Sequence, residues 1–143
     1  MSPSSTVKDS IVSFHEVEYF KRFTSLNLSK KEIREIGFPL SKDLVDREME
    51  IADGTIQGVH YSIKNGISMN IAGGTHHAFT NKGEGFCMLN DQAIGARYLQ
   101  EKNFANKILI VDLDVHQGNG TAEIFQNDAS VFTFSMHGKS NYP

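Results

Sequence analysis

Cysteine is almost absent: Cys87 stands alone, so no disulfide can form within the chain. That excludes the small disulfide-held secreted scaffolds and makes a reducing, cytoplasmic setting the expectation. Long apolar runs are lacking as well. No stretch approaches the length that crosses a bilayer, and "MSPSSTVKDS" has no apolar core of the kind a secretory leader carries. Positive charge is also in short supply: 14 Lys and Arg stand against 17 Asp and Glu, a net charge of -3. No basic tract exists to coat a phosphate backbone, so direct binding to nucleic acid is not expected, and neither is a membrane partner. What remains is 143 residues, 39% hydrophobic and 22% charged, enough for a packed core in one domain spanning residues 1–143.

The first half of the chain reads as helical. "SIVSFHEVEYFKRF" repeats Ile11, Phe14, Val17 and Tyr19 or Phe20 at the spacing of one helix face. "SKKE" is a capping box, Ser29 as N-cap and Glu32 three residues on, and the helix it starts should stop at Gly37. Ser41 can cap the next helix, "KDLVDREMEIA", which Gly54 should break. A further helix fits "TIQGVHYSIKN", with Asn65-Gly66 closing it. From residue 67 the period changes. "ISMNIA" alternates as a strand, and a loop of about fifteen residues from Gly73 to Cys87 follows, a length usually kept for function. "LNDQAIGARYLQEK" is helical, "KILIVDLDV" reads as a strand buried on both faces, "GNGTAEIFQN" is a short helix and "SVFTFSM" a third strand. Strands alternating with helices predict a parallel α/β sheet.

In such a sheet, ligand sites form beyond the carboxyl ends of the strands. Three polar clusters fall there: His76-His77, then Asp112, Asp114 and His116, then Ser135 and His137. Residues two apart in an extended strand face the same way, so Asp112, Asp114 and His116 can project together. Carboxylate and imidazole are ordinary zinc ligands, and catalytic zinc takes about three of them plus water. Taken singly, an Asp-x-Asp is more often a cap or ion pair, a His-His pair more often surface polarity, and Cys87 more often a small buried residue than a nucleophile. Three such clusters at three successive strand ends favour a metal site.

"AGGTHHAFTNKGEGFCMLND" followed by "ILIVDLDVHQGNGTAEIF" resembles the zinc-dependent histone deacetylase family, which includes bacterial acetylpolyamine amidohydrolases and acetoin-utilisation proteins. The match is dense from about Ile71 onward, and "HQGNG" and "SMHGKSNYP" look most like the bacterial and class IV branches. The resemblance implies the arginase/deacetylase fold, a three-layer parallel sheet flanked by helices, here truncated to its N-terminal half. It implies a zinc cofactor held in part by Asp114 and His116, His77 as general base and then general acid, and His76 assisting and paired with Asp112. Asn119 stands where other branches hold the second histidine with Asp. Gly85, Phe86, Cys87 and Tyr142 match the wall of the acyl-lysine channel. Asp112, Asp114, His116, Ser135 and Met136 match a structural monovalent-cation site, with K+ as its candidate ion. The implied substrate is acetyl-lysine or another acetylated amine.

In that family the third zinc-binding Asp and the tyrosine that steadies the oxyanion fall beyond Pro143. The isolated chain is therefore expected to be inactive, and its cut sheet edge could pair with a second copy. Three other readings compete. An arginase-like hydrolase would need a bridging carboxylate, which Gln117-Gly118-Asn119 does not offer, and an Asp-x-Asp phosphatase would leave His76-His77 unexplained. A non-catalytic binding or assembly module is the alternative from a different class.

Overall fold

The computed structural model describes Ile11 and residues 14–142. Helices α1 (Val17–Thr24), α2 (Lys30–Ile36), α3 (Lys42–Asn65) and α4 (Asp91–Glu101) lead to strand β1 (Ile108–Asp112), helix α5 (Asn119–Phe125) and strand β2 (Val131–Ser135). The two strands pair in parallel, Ile108 opposite Val131 and Asp112 opposite Ser135, so both end at the same rim.

Local chemistry explains most of these boundaries. Ser29 and Glu32 close the predicted capping box, with N···O distances of 3.2 and 2.8 Å, and α2 ends on Gly37 at φ 84°. The Ser41 hydroxyl accepts the Leu44 N–H at 3.1 Å to begin α3. Gly54 does not break that helix, contrary to its sequence reading. A mid-helix glycine costs about 1 kcal/mol, and the buried face formed by Met49, Ala52 and Ile56 outweighs it by packing into the main core with Ile94 and Tyr98 of α4.

Two other expectations are corrected. The helix predicted over residues 10–23 is interrupted: Glu16 is extended (φ -52°, ψ 129°), its N–H bonds Thr80 O at 2.8 Å, and α1 starts only at Val17. The kink turns the His15 ring inward, where Nε2 accepts the Asn90 N–H at 3.1 Å. Ser10 and residues 12–13 of that predicted helix lie outside the described residues. The strand predicted at 67–72 does not form either. Ile67, Met69 and Ile71 are more than 80% exposed, because among the described residues no strand lies beside them to complete a ladder.

The sheet is covered on one face. Ile108, Ile110 and Val131 pack with Phe14, Ala93, Ala96 and Phe125 in a second core. Leu109, Val111, Phe132 and Phe134 on the other face are exposed, so β1 is not buried on both faces among the described residues. The sequence pattern is that of a doubly covered strand, and only its inner layer is present here.

Buried polar groups tie the loop before α4 to this frame. Asp91 is 3% exposed; its Oδ1 accepts the N–H groups of Gly74 and Thr75 at 2.9 and 2.8 Å, and its Oδ2 accepts the Thr55 hydroxyl at 2.6 Å. Asn90 caps α4 through Ala93 N–H at 3.0 Å and donates its amide to Ala78 O and Thr121 Oγ1 at 3.1 and 3.0 Å. Removing a buried acceptor strands its donors at about 1–3 kcal/mol each. Asp91→Ala should accordingly lower the unfolding free energy by roughly 3 kcal/mol or more, read from the urea midpoint. A loss under 1 kcal/mol would show that the loop is not anchored there.

Candidate active site

The rim where β1 and β2 end receives one segment from each neighbour. β1 delivers Asp112 and then runs out: the Asp114 N–H turns back to Asp112 Oδ1 at 2.9 Å, and the His116 N–H to Asp114 Oδ1 at 2.7 Å. The loop anchored by Asp91 delivers His76 and His77. Start-of-α5 backbone closes the gap, with Thr121 N–H bonding His76 O at 3.1 Å. Gly120 is required by that approach, since a Cβ there would lie 2.4 Å from Ala78 O.

Each histidine is held at its Nδ1. His76 Nδ1 lies 2.5 Å from Asp112 Oδ2, with both side chains buried, and its Nε2 is 3.8 Å from Asp114 Oδ1. His77 Nδ1 lies 2.8 Å from Asn119 Oδ1. An amide oxygen only accepts, so His77 carries its proton on Nδ1 and keeps the Nε2 lone pair free. Burial pulls the His77 pKa below its ordinary value, the charges of His76 and His116 act in the same direction, and the Asn119 hydrogen bond opposes them. The two rings stand 4.0 Å apart, and His116 lies 6.1 Å from His77.

Asp114 and His116 are about half exposed, with Asp114 Oδ1 and His116 Nδ1 3.0 Å apart. The His116 backbone N–H holds the Asp114 carboxyl below its usual range. Tetrahedral zinc with bonds of about 2.0–2.2 Å sets neighbouring donors about 3.3 Å apart. The pair fits two corners of such a site, and among the described residues no third His, Cys, Asp or Glu completes a metal-holding group.

Glu84 and Cys87 pair as a short hairpin, exchanging N–H···O bonds of 2.9 Å on both sides. The turn residues Gly85 and Phe86 both have positive φ, 54° and 66°, the pattern of a type I′ turn. For phenylalanine that backbone costs roughly 1–2 kcal/mol, yet Phe86 remains 59% exposed. Tyr142 stacks on His77 at 3.9 Å and donates its hydroxyl to Glu84. Burial, reinforced by Glu84, raises the tyrosine pKa. Cys87 is buried behind the hairpin rather than at its tip, and burial pushes its thiol up to about 12, which disarms it as a nucleophile.

The residues read as a monovalent-cation set divide. Asp112 and Ser135 share a recess of about 190 Å³ with Gly118, Thr121 and His137, while Asp114, His116 and Met136 are not among its walls. Ser135 Oγ accepts the Gly118 N–H at 3.2 Å and lies 3.0 Å from His137 Nδ1; Met136 N–H bonds Asp112 O at 3.0 Å. Sequence reasoning assigned no role to Asn90, Asp91, Thr75 or Glu84. The first two had a readable signal, an Asn-Asp pair just before an apolar helical run, which marks a cap. Glu84 had none.

The whole chain, residues 1–143, matches the model of the histone deacetylase domain. An uncharacterised protein of Picosynechococcus is 50% identical over 129 residues, covering 90% of this chain and 43% of that protein. The acetoin utilization protein AcuC of Staphylococcus aureus is 30% identical over 155 residues, covering all of this chain and 40% of its own length. Among solved structures, a histone deacetylase homologue from Aquifex aeolicus superposes with a TM-score of 0.80 at 29% identity, over 91% of this chain and 37% of that one. The chain thus spans about two fifths of the length of these relatives, and its fold is that of the arginase/deacetylase type.

The close approach of α5 to the histidine loop gives a direct check. Gly120→Ala would drive a methyl into the Ala78 carbonyl, and such overpacking costs about 1–3 kcal/mol. The variant should unfold at correspondingly lower urea concentration, and a native midpoint would mean that α5 does not pack as described.

Proposed function

This chain belongs to the histone deacetylase family, and from that premise we propose that it carries the proton-transfer half of a zinc-dependent amide hydrolase site, with two of the three metal ligands. The substrate is acetyl-lysine or a related acetylated amine. The observation that carries this reading is the pair of histidines, each fixed at Nδ1 by an oxygen, converging on Asp114 and His116.

His77 is the general base. Its Nδ1–H is committed to Asn119, and its lowered pKa keeps Nε2 unprotonated near neutral pH. It takes a proton from the attacking water and returns it to the leaving amine. His76, locked against Asp112, stands beside the reacting centre as a second donor or charge. Asp114 and His116 would hold zinc, which supplies Lewis acidity by acidifying a coordinated water and polarising the amide carbonyl. Phe86 and Tyr142 border the approach for the amine stem. The third ligand and the oxyanion tyrosine would come from sequence outside these 143 residues. A potassium ion near Asp112 and Ser135 would brace the strand ends. The open sheet edge would pair with further strands of the domain or with a second copy, and the open apolar face would be covered by further helices.

Two variants of a form carrying the complete deacetylase domain separate the roles. His77→Ala should lower kcat by about 10²–10⁴ while zinc content by metal analysis stays native, whereas Asp114→Ala should lose zinc. Equal zinc loss in both would refute the assignment.

The basicity of His77 can be tested through Asn119. An Asp at that position places a negative charge on Nδ1–H and stabilises imidazolium, so the His77 pKa rises. The reaction needs neutral His77, so the acidic limb of the pH–rate profile should move to higher pH, on the order of one unit, in Asn119→Asp. A limb that stays put or moves to lower pH would show that the base is another group.

A further inference from the structure

Phe86 occupies the second position of a turn whose backbone suits asparagine or glycine, and its ring stays largely in solvent, so burial does not explain it. What holds it is the end of α2. The N–H groups of Gly85 and Phe86 bond to Glu35 O and Ile36 O at 3.0 and 2.7 Å, carbonyls of the last turn that lack partners inside their own helix. Gly37 then ends the helix at φ 84°, and a Cβ there would lie 2.7 Å from Phe86 Cε1. Phe38 meets the Phe86 ring edge to face at 5.0 Å, and the Arg47 guanidinium sits 5.9 Å over Phe38. On its other side the same turn touches the site: a Cβ at Gly85 would fall 2.8 Å from His77 Cδ2 and 3.1 Å from the Tyr142 hydroxyl.

We propose that the end of α2, with Gly37 and Phe38, is a seat that fixes the Phe86 ring on the turn whose Gly85 packs against His77 and Tyr142, and that Phe38 thereby determines specificity for a slender, unbranched amine stem. This rests on the amide-hydrolase reading given above. A strained turn alone would let the ring relax away. The two helix-end hydrogen bonds hold its backbone, Gly37 leaves the space the ring needs, and the edge contact with Phe38 fixes the ring plane. An immobile aromatic wall accepts a polymethylene stem and rejects a branched one. Phe38 is a positioning residue, acting through Phe86.

In the complete domain, Phe38→Ala and Phe38→Leu should raise KM for an acetyl-lysine peptide roughly two- to tenfold, with kcat native and the preference over a branched-stem acetylated amine reduced. Phe38→Tyr, which keeps the ring, should restore native values. Native KM and native stem preference in both the Ala and Leu variants would overturn the proposal, as would a fall in kcat at constant KM. The second measurement needs no turnover. In the 143-residue chain, the NMR shifts of the Phe86 ring should move toward free-phenylalanine values in Phe38→Leu and remain in place in Phe38→Tyr. Unmoved shifts in Phe38→Leu would overturn the seat. If the complete domain hydrolyses no acylated amine, the reaction reading fails, and the ring shifts still decide the seat.

Discussion

The buried carboxylate of Asp91 is the fixed point on which the site depends. Taking a charge out of water costs several kcal/mol unless hydrogen bonds replace the lost solvent. Here Gly74 N–H, Thr75 N–H and the Thr55 hydroxyl do so, with the positive end of α4 contributing, since Asp91 opens that helix. Those partners are also the loop leading into His76 and His77 and the middle of α3. Satisfying one charge therefore pins the histidine loop to two helices. Asn90 extends the anchor on the other side, reaching Ala78, Thr121 and, through its own N–H, His15.

Strand register supplies the second coordinate. Pairing Asp112 with Ser135 ends both strands at one rim, and the Met136 N–H on Asp112 O ties the chain leaving β2 to the end of β1. The carboxylates then follow an irregular backbone, where side-chain oxygens bond main-chain N–H groups two residues on. The site is thus a junction of a helix N-terminus, a strand C-terminus and a hairpin tip, and only the inner sheet face supports it with packed side chains. Asp114 and His116 form its more open side, whereas His76 and His77 are buried.

Much of this is legible in the sequence because it is local. The Ser29–Glu32 capping box, the Gly37 stop and the β1–α5–β2 alternation rest on short-range rules and appear as read. Two of the three polar clusters stand at strand ends of the parallel sheet, whereas His76-His77 arrives on a loop with no strand before it among the described residues. The structure nonetheless brings His76, His77, Asp112, Asp114 and His116 together. The failures are nonlocal. Gly54 reads as a break because helix propensity cannot register the packing of α3 on α4. Residues 67–72 alternate as a strand should, yet a strand needs a neighbour that local sequence does not specify. The kink at Glu16 depends on Thr80, 64 residues away. The left-handed Phe86 has no signal at all, because the helix end that holds it is distant in sequence.

The central claim is that His77 is held as a neutral imidazole with its proton on Nδ1 and its Nε2 lone pair free. Long-range ¹H–¹⁵N correlation of the histidine rings near neutral pH reads that state directly. The account predicts a protonated, pyrrole-like Nδ1 and a bare, pyridine-like Nε2 for His77. A proton found on Nε2, or an imidazolium at that pH, would contradict it.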